Sequence, residues 1–307
     1  MYDDQALAGL VQESFGQRPV GATRLRGGSK KGVYRLTFDD GSTAVLYVWH
    51  ESENYWPASA ADDGPLSDAS GLDLFEAGKA RLDSLGVRTP HVHAVRRPDL
   101  ALVEDVRGGT LESRLEDDPV PALRRLAAGL EAMRQHQDPR LGKVGLLETE
   151  PQDRSCQRIV LDRAERDLRE AASRVDAVAD ARDRLENLLH RCYADVRPRS
   201  GHSLIHGELG PDHVLVDERG EPVLIDIEGT MFFDVEWEHV FLQMRFGDHY
   251  RWLRADGLDE ARMEFYRLAM HLSLVAGPLR LLDGDFPDRE GMLGIVRHNL
   301  ERVLAYR

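Results

Sequence analysis

The stretch HGELGPDHVLVD, residues 206–217, and the segment ERGEPVLIDIEG that follows it, residues 218–229, carry the strongest structural signal in the chain. HVLVD and PVLIDI are apolar, β-branched runs, and the DERGE segment between them is typical of a turn. The pattern predicts a β-hairpin. In a hairpin the strand ends that lie away from the turn are neighbours, so the residues that begin the first strand lie beside those that end the second.

Four side chains that bind protons or metals lie at those neighbouring strand ends. Glu208 and His213 precede or begin the first strand, whereas Asp226 and Glu228 end or follow the second. A carboxylate that accepts a hydroxyl proton, next to ligands for a divalent metal, is the arrangement that phosphoryl transfer requires. The hairpin therefore predicts a site for that chemistry at one edge of the sheet.

The first hundred residues predict a small antiparallel sheet with one helix. VYRLTF and TAVLYVW are strand-like runs joined by the turn sequence DDGS, and an earlier short strand is expected before the glycine-rich turn GGSKKG. Residues 72–86 have the pattern of a helix that ends at Gly86. PHVHAVRR and LALVEDV predict two further strands, and a short opening helix is expected over residues 3–15.

Apart from the hairpin, the rest of the chain has the charged, amphipathic pattern of helices. One helix is expected over residues 119–137, and residues 155–196 are expected to form two helices or one bent helix. The sequence thus indicates an α+β protein with two unequal lobes. We predict an N-lobe over residues 1–102, a hinge over residues 103–110, and a large helical lobe with an embedded hairpin over residues 111–307.

The composition fits a globular protein with a sizeable core, because 42% of the 307 residues are hydrophobic and 31% are charged. A net charge of −14 argues against nucleic-acid binding and is compatible with a cationic small molecule as partner. The sequence has neither an apolar run long enough to span a bilayer nor a signal-peptide pattern, so a cytoplasmic protein without a membrane partner is expected. Cys156 and Cys192 are expected to be reduced thiols.

Several further motifs accompany the hairpin in a definite order. GGSKKGVYRL precedes FEAGKARLDSLGVRTPHV and LALVEDVRGGTL, and FDVEWEHV follows the HGELGPDH and LIDIEG segments of the hairpin. In this order the motifs resemble those of the aminoglycoside phosphotransferase family: a nucleotide loop, a helix, a hinge, an HGDxxxxN loop and an IDF or IDW segment. The resemblance spans about residues 20–280. It implies a bilobal protein-kinase-like fold with a small antiparallel-sheet N-lobe and a large, mostly helical C-lobe.

The resemblance also implies an activity and the residues that perform it. The implied activity moves the γ-phosphoryl of ATP or GTP, with Mg²⁺ or alternatively Mn²⁺, to a hydroxyl of an antibiotic-like or amino-sugar acceptor. The implied catalytic residues are His206, Glu208 and Asp226. The implied metal ligands are His213, Asp226 and Glu228. The implied nucleotide-binding residues are Gly27, Gly28, Ser29, Lys30, Lys31, Tyr47, Glu76, Val103, Glu104, Asp105 and Val106.

Three positions depart from the family pattern. Glu208 stands where the family has Asp, and its extra methylene moves the carboxylate by about 1.5 Å unless the backbone compensates. His213 stands at the position of an Asn, and macrolide phosphotransferases in the family resemble this chain in using His there. Tyr47 or a neighbour in AVLYVW stands in the slot of the strand lysine that grips the α- and β-phosphates, and a tyrosine cannot neutralise phosphate charge.

The missing strand lysine leaves two interpretations open. Lys30 and Lys31 are two of only four lysines in the chain, and they are candidates to replace it, with Arg26 behind them; otherwise they are solvent-facing turn residues. If nothing replaces the strand lysine, the alternative function is a catalytically weak or inactive kinase-fold protein. Such a protein would bind nucleotide or a small ligand as a sensor or scaffold.

Overall fold

The structure, a computed structural model, describes residues 18–56, 64–66, 70–149 and 153–307, together with the single residues 9, 11 and 16. The opening helix expected over residues 3–15 falls almost wholly outside the described residues. Close contacts divide the chain into two compact units. The first unit consists of Met1–Tyr55, Ala69–Arg125 and Pro211–Gly229, and the second of Trp56–Asp68, Leu126–Gly210 and Thr230–Arg307.

Strands and helices are numbered here in chain order. The strands are β1 (Gly21–Arg24), β2 (Gly32–Thr37), β3 (Thr43–Val48), β4 (Val92–Arg96), β5 (Leu100–Glu104), β6 (Gln137–Asp138), β7 (Gly142–Lys143), β8 (His202–Ile205), β9 (Val214–Val216), β10 (Pro222–Leu224) and β11 (Met231–Phe233). The helices are α1 (Leu72–Ser84), α2 (Val120–Gln135), α3 (Cys156–Arg174), α4 (Asp176–Asp195), α5 (Val235–Phe246), α6 (Glu260–Leu281) and α7 (Arg289–Ala305). This mixture confirms the predicted α+β class.

The first unit is built on an antiparallel sheet with the strand order β1-β2-β3-β5-β4. The three strands around the glycine-rich turn and the two later strands are confirmed. Strand β3 is the most deeply buried, because every residue from Ala44 to Val48 is buried. A strand covered on both faces reads as a continuous apolar run, as AVLYV does. The register of the sheet places Tyr47 opposite Val33 on one side and Ala101 on the other.

Helix α1 and the β9–β10 hairpin complete the first unit. The helix buries Leu72, Phe75 and Leu82, and the chain leaves it through Gly86, whose φ of +71° favours glycine. The hairpin is antiparallel as predicted, with Val214 opposite Leu224. Its position follows the turn chemistry of DERGE and the apolar runs on either side.

The hairpin is anchored to the segment that follows β5 by a close backbone approach. A Cβ added at Gly108 would lie 1.7 Å from the carbonyl oxygen of Val216, so this position requires glycine. Two residues later, Thr110 forms an antiparallel bridge with Leu215. The sheet segment and the hairpin of the first unit are therefore joined through backbone contacts.

The second unit holds a large helical core and a small sheet. The sheet has the order β6-β8-β11-β7, and the core is formed by buried residues of α3, α4, α5, α6 and α7. Helix α2 runs from the first unit into the second. Residues 155–196 form two helices that part at Val175, whose backbone is extended, which settles the alternative left open by the sequence. Among the described residues, no helix is both long and apolar enough to cross a membrane.

Candidate functional site

The glycine-rich turn between β1 and β2 directs a lysine into the interior of the first unit. Gly27 and Gly28 have φ angles of +90° and +75°, a region that glycine adopts at no steric cost. A Cβ at Gly28 would also lie 2.6 Å from the carbonyl oxygen of Lys31. The turn is held from outside by Tyr55, whose N–H donates to the carbonyl oxygen of Ser29 at 2.8 Å. Lys31 is thereby placed just before β2, with its side chain 8% exposed.

The ammonium group of Lys31 lies between two carboxylates and two aromatic rings. Its Nζ is 2.9 Å from Oδ1 of Asp226 and 2.5 Å from Oε1 of Glu228. The same Nζ lies 4.9 Å from the ring centroid of Tyr47 and 5.8 Å from that of Trp49. Burial alone would lower the pKa of Lys31, but the two carboxylates outweigh burial and raise it above its ordinary value. The site thus holds a stable positive charge in a largely water-excluded place.

Glu228 is a buried carboxylate with two differently placed oxygens. Its side chain is only 4% exposed. Oε1 accepts a hydrogen bond from Lys31 and a second one, 2.9 Å long, from the indole N–H of Trp49. Oε2 is buried and accepts no hydrogen bond from any residue that the structure describes. One oxygen is therefore committed within the protein, and the other is available to a bound cation.

Asp226 and His213 are brought together by the hairpin. The N–H of Ile225 donates to the carbonyl oxygen of His213 at 3.0 Å, and Nε2 of His213 lies 3.8 Å from Oδ2 of Asp226. Asp226 has a φ of +60°, an uncommon backbone conformation for a residue other than glycine, and its side chain is 46% exposed. Such conformations persist where the surrounding structure enforces them, and they cluster at functional sites.

Tyr47 fills the slot expected for a lysine and belongs to an aromatic cluster. Its ring makes edge contacts with Trp49 and Phe75 at centroid distances of 5.8 and 5.6 Å. Burial raises the pKa of Tyr47 to about 12, so the phenol stays neutral at physiological pH. Trp49 and Phe75 were not among the predicted site residues. The alternation in TAVLYVW was the available signal, since Trp49 follows Tyr47 by two positions and thus shares its face.

Glu76, which the resemblance implies as a nucleotide-binding residue, binds Arg97 instead. Its Oε2 accepts a hydrogen bond of 2.5 Å from Nη2 of Arg97, whose other guanidinium nitrogen binds Asp73. These three side chains form an ion-pair cluster at the start of α1. The helix instead presents Phe75 to the aromatic cluster around Tyr47.

The predicted hinge residues, Val103 to Val106, include a carboxylate that is bound to the sheet. Asp105 accepts hydrogen bonds from Nε and Nη2 of Arg35 at 2.8 and 3.0 Å and from the hydroxyl of Thr43 at 2.6 Å. Burial opposes ionisation, but these hydrogen bonds prevail and lower the pKa of Asp105 below its usual range. The N–H of Glu104 is also committed, donating to the carbonyl oxygen of His91 at 2.8 Å.

The HGE segment lies in the second unit, directly after β8, and a buried carboxylate fixes its backbone. Oε2 of Glu238 accepts a hydrogen bond of 2.7 Å from the N–H of Gly207, and the N–H groups of His206 and Leu209 also bind this carboxyl. The indole N–H of Trp237 donates to the carbonyl oxygen of Gly207 at 3.2 Å. Glu208 itself is exposed. The loop is thus fixed through its main chain.

The carboxylate of Glu238 has an unusual affinity for protons. Its burial raises the pKa to about 7, although the main-chain N–H groups act in the opposite direction. Neighbouring Asp234 starts α5 and accepts hydrogen bonds from the Tyr266 hydroxyl at 2.5 Å and from Nε of Arg262 at 3.1 Å. The FDVEWEHV motif therefore contributes buried bracing carboxylates to the second unit.

Cys156, His202 and Asp234 form a compact buried group in the second unit, and their candidate ligand atoms lie within 4.8 Å of one another. Burial raises the pKa of the Cys156 thiol well above its usual value, which opposes the thiolate that a metal requires. Oδ2 of Asp234 is moreover engaged by Arg262 and Tyr266. This group is an internal hydrogen-bonding network. Cys192, like Cys156, is a free thiol, as predicted.

Asp226 and Glu228 of the first unit fit a divalent metal better than the Cys156, His202 and Asp234 group does. Both carboxylates already bind a cation, the Lys31 ammonium, and the buried Oε2 of Glu228 has no hydrogen-bonding partner among the described residues. Carboxylate oxygens suit Mg²⁺, and an imidazole such as that of His213 adds affinity for Mn²⁺. These residues therefore fit the metal that the resemblance implies.

Comparison with known proteins agrees with this architecture. The model of the phosphotransferase enzyme family matches residues 22–269, and the chain belongs to this family. No match was found among curated proteins.

Solved structures of the kinase-like fold are similar over nearly the whole chain. A thermostable mutant of aminoglycoside phosphotransferase APH(4)-Ia, in a ternary complex with ADP and hygromycin B, is 18% identical, with a TM-score of 0.64 and coverage of 98% of this chain and 100% of the other. A putative fructosamine-3-kinase from Thermobifida fusca is 20% identical, with a TM-score of 0.53 and coverage of 96% and 99%. The choline kinase LicA from Streptococcus pneumoniae is 12% identical, with a TM-score of 0.66 and coverage of 99% of each chain. At these identities the likeness concerns the fold, which is the protein-kinase-like fold that was predicted.

Proposed function

We propose that this protein transfers the γ-phosphoryl group of ATP or GTP to a hydroxyl group of a small molecule. The observation that carries the proposal is the buried ammonium of Lys31, held at 2.9 Å from Asp226 and 2.5 Å from Glu228. Phosphoryl transfer depends on positioning and on positive charge around the phosphates. Lys31 offers such a charge although the strand position carries Tyr47.

Each residue of the proposed site has a role that its chemistry allows. Glu208 accepts the proton of the acceptor hydroxyl, and His206 orients the loop that carries it. Asp226, His213 and Oε2 of Glu228 hold Mg²⁺ or Mn²⁺; when bound, this ion neutralises phosphate charge. Lys31 binds phosphate oxygens.

The backbone of the glycine-rich turn and of the hinge completes nucleotide binding in this proposal. The N–H groups of Gly27, Gly28, Ser29 and Lys30 would bind phosphate oxygens, and main-chain groups of residues 103–106 other than the N–H of Glu104 would bind the purine. We assign nucleotide binding to the N-lobe, residues 1–102 with the hinge 103–110, and acceptor binding to residues 111–307.

An antibiotic-like molecule, an amino sugar or another cationic alcohol is the acceptor class we propose. The net charge of −14 favours a positively charged acceptor. Proteins with the same fold include one bound to hygromycin B, one termed a fructosamine-3-kinase and one termed a choline kinase. Each of these names points to an acceptor that carries both a hydroxyl and a basic or cationic nitrogen.

The alternative is a protein that binds nucleotide without transferring its phosphoryl group. Tyr47 in the lysine slot favours it, because the neutral phenol supplies no charge to the phosphates. The carboxylate retained at position 208 favours turnover instead, since Glu208 is exposed in a loop whose main chain is held by Glu238.

Nucleotide binding and turnover separate the two functions. We expect ATP or GTP with Mg²⁺ to raise the melting temperature, and a panel of amino sugars and aminoglycosides to release nucleoside diphosphate. Glu208→Gln should lower kcat by about 100-fold or more while nucleotide affinity stays within about twofold. Glu218→Gln, in the exposed turn of the hairpin, is the matched control. Turnover unaffected by Glu208→Gln removes this residue from the mechanism, and nucleotide binding without any turnover supports the alternative.

A further inference from the structure

Protein kinases pair a lysine of the third strand with a glutamate of the N-lobe helix, and the part of this chain that the structure describes shows no such pair. Strand β3 carries Tyr47 at the lysine slot, and its ring packs on Phe75 of α1 at a centroid distance of 5.6 Å. Glu76 of the same helix binds Arg97. An aromatic contact therefore stands where relatives of this fold have an ion pair.

A different ion pair lies next to this aromatic contact. Nζ of Lys31 is 4.9 Å from the centroid of the Tyr47 ring, so the charge lies beside the residue that fills the lysine slot. Its buried counter-ion is Glu228, 197 positions away in sequence, at 2.5 Å. Lysine and glutamate have both been replaced, each by a residue of the same chemical type from another element.

Trp49 is the third member of this arrangement. Its indole N–H donates to Oε1 of Glu228 at 2.9 Å, the oxygen that also binds Lys31. Its ring lies 5.3 Å from Phe75 and 5.8 Å from the Lys31 ammonium, so it is fixed by packing on one side and faces the cation on the other. A neutral donor on the shared oxygen fixes the carboxylate rotamer without competing for its charge.

We propose that Lys31, Glu228 and Trp49 form a relocated phosphate-gripping unit, in which Glu228 and Trp49 are positioning residues for the Lys31 ammonium. The inference rests on the proposed function, because it assigns the cation of the same nucleotide site. It makes Glu228, not Glu76, the partner of the functional lysine. It also predicts that a lysine at position 47 of β3 can replace the lysine of the glycine-rich turn, because its ammonium would reach the same place.

The test measures the dissociation constant of ATP with Mg²⁺ in the full-length protein by calorimetry, with melting curves to confirm that every variant folds. Lys31→Met should weaken binding by about 30-fold, the loss of one charge-assisted contact. Adding Tyr47→Lys to Lys31→Met should restore at least about tenfold, because the strand lysine returns to the slot. Lys79→Met removes another paired lysine of the same unit and is the matched control.

Two glutamates and one tryptophan test the positioning roles. Glu228→Gln should weaken ATP binding by about tenfold in the wild-type protein but by less than about threefold in the Lys31→Met background, whereas loss of a metal ligand alone would weaken it equally in both. Glu76→Gln should change ATP binding by less than about twofold. Trp49→Phe keeps the ring but removes the N–H, and it should weaken binding by about threefold. In the Lys31→Met background Trp49→Phe should have no further effect, whereas a purely structural role for Trp49 would add to the loss.

The outcomes distinguish this inference from the function on which it rests. Failure of the wild-type protein to bind ATP or GTP rejects the proposed function itself. ATP binding that survives Lys31→Met within twofold, or a larger effect of Glu76→Gln than of Glu228→Gln, overturns the inference while leaving the proposed function intact. A folded Tyr47→Lys/Lys31→Met protein that binds no better than Lys31→Met also overturns it.

Discussion

Two buried glutamates, one in each compact unit, are stabilised by different kinds of partner. Glu228 in the first unit binds the side chains of Lys31 and Trp49 through one oxygen. Glu238 in the second unit binds main-chain N–H groups of the HGE loop, among them that of Gly207. A side-chain partner can be replaced by a similar side chain from another position of the fold. A main-chain partner fixes the loop whatever side chains the loop carries. This difference accounts for the relocated lysine that we propose, next to an HGE loop that keeps its place in the sequence order.

The largest effect is expected from the exposed carboxylate next to Glu228. Asp226→Asn removes a negative charge from the proposed metal site, and Mn²⁺ binding measured by electron paramagnetic resonance should weaken by about 100-fold. Asp40→Asn, in the exposed turn between β2 and β3, should leave Mn²⁺ affinity unchanged. Equal Mn²⁺ affinity in Asp226→Asn and wild type would place the metal elsewhere.

The side-chain partner of Glu228 should matter for folding when metal is absent. Lys31→Met leaves one buried and one partly exposed carboxylate without their cation, and the free energy of unfolding in chelator should fall by about 2 kcal/mol. Mg²⁺ should restore part of this loss, because a divalent ion supplies the missing positive charge. Urea melts with and without Mg²⁺ measure both effects. A loss of unfolding free energy in Lys31→Met that Mg²⁺ does not reduce would argue against Mg²⁺ binding to the same carboxylates as Lys31.

The burial of Glu238 should give a pH-dependent stability, which its main-chain partners reduce but do not cancel. Its pKa rises from 4.5 in the unfolded chain to about 7 in the folded one, so the folded state binds more protons between these values. The stability that this group contributes is complete below pH 4.5 and is lost as the pH rises through about 7. Relative to Glu238→Gln, the wild-type protein should therefore lose about 2 kcal/mol between pH 5 and pH 8 in denaturant titrations. Parallel pH profiles for the two proteins would contradict this.

The smallest effect is expected at the ion pairs that hold Glu76. The side chain of Arg97 is exposed, and exposed ion pairs contribute little to stability. Arg97→Gln should change neither the ATP dissociation constant nor the melting temperature measurably. A marked loss of ATP affinity in this variant would return Glu76 to the nucleotide site.

The sequence predicted the features that depend on local pattern. The β9–β10 hairpin follows from apolar runs and turn residues within 16 positions, and the pairing of Ile225 with His213 follows from the hairpin register. The resemblance of ordered motifs added the kinase-like fold. The α3–α4 break at Val175 was left open, since the flanking helices have the same charged pattern.

What the sequence could not predict are contacts between side chains that are distant in the chain. Lys31 was a candidate for the lost lysine, but its bond to Glu228 joins residues 197 positions apart. In the sequence, Trp49 is the last residue of the strand-like run TAVLYVW. The hydrogen bond from its indole N–H to Glu228 is visible only in the structure. The hydrogen bond from Arg97 to Glu76 depends on how α1 packs against the end of β4, and no sequence motif predicts that packing.

The most direct measurement compares the affinities of Lys31→Met for adenosine, ADP and ATP with those of the wild-type protein in the presence of Mg²⁺. If the Lys31 ammonium grips phosphates, adenosine affinity should stay within about twofold, while ADP and ATP should bind about 10-fold to 30-fold more weakly. A uniform loss across the three ligands, or none for ATP, would contradict the claim that Lys31 takes the place of the strand lysine.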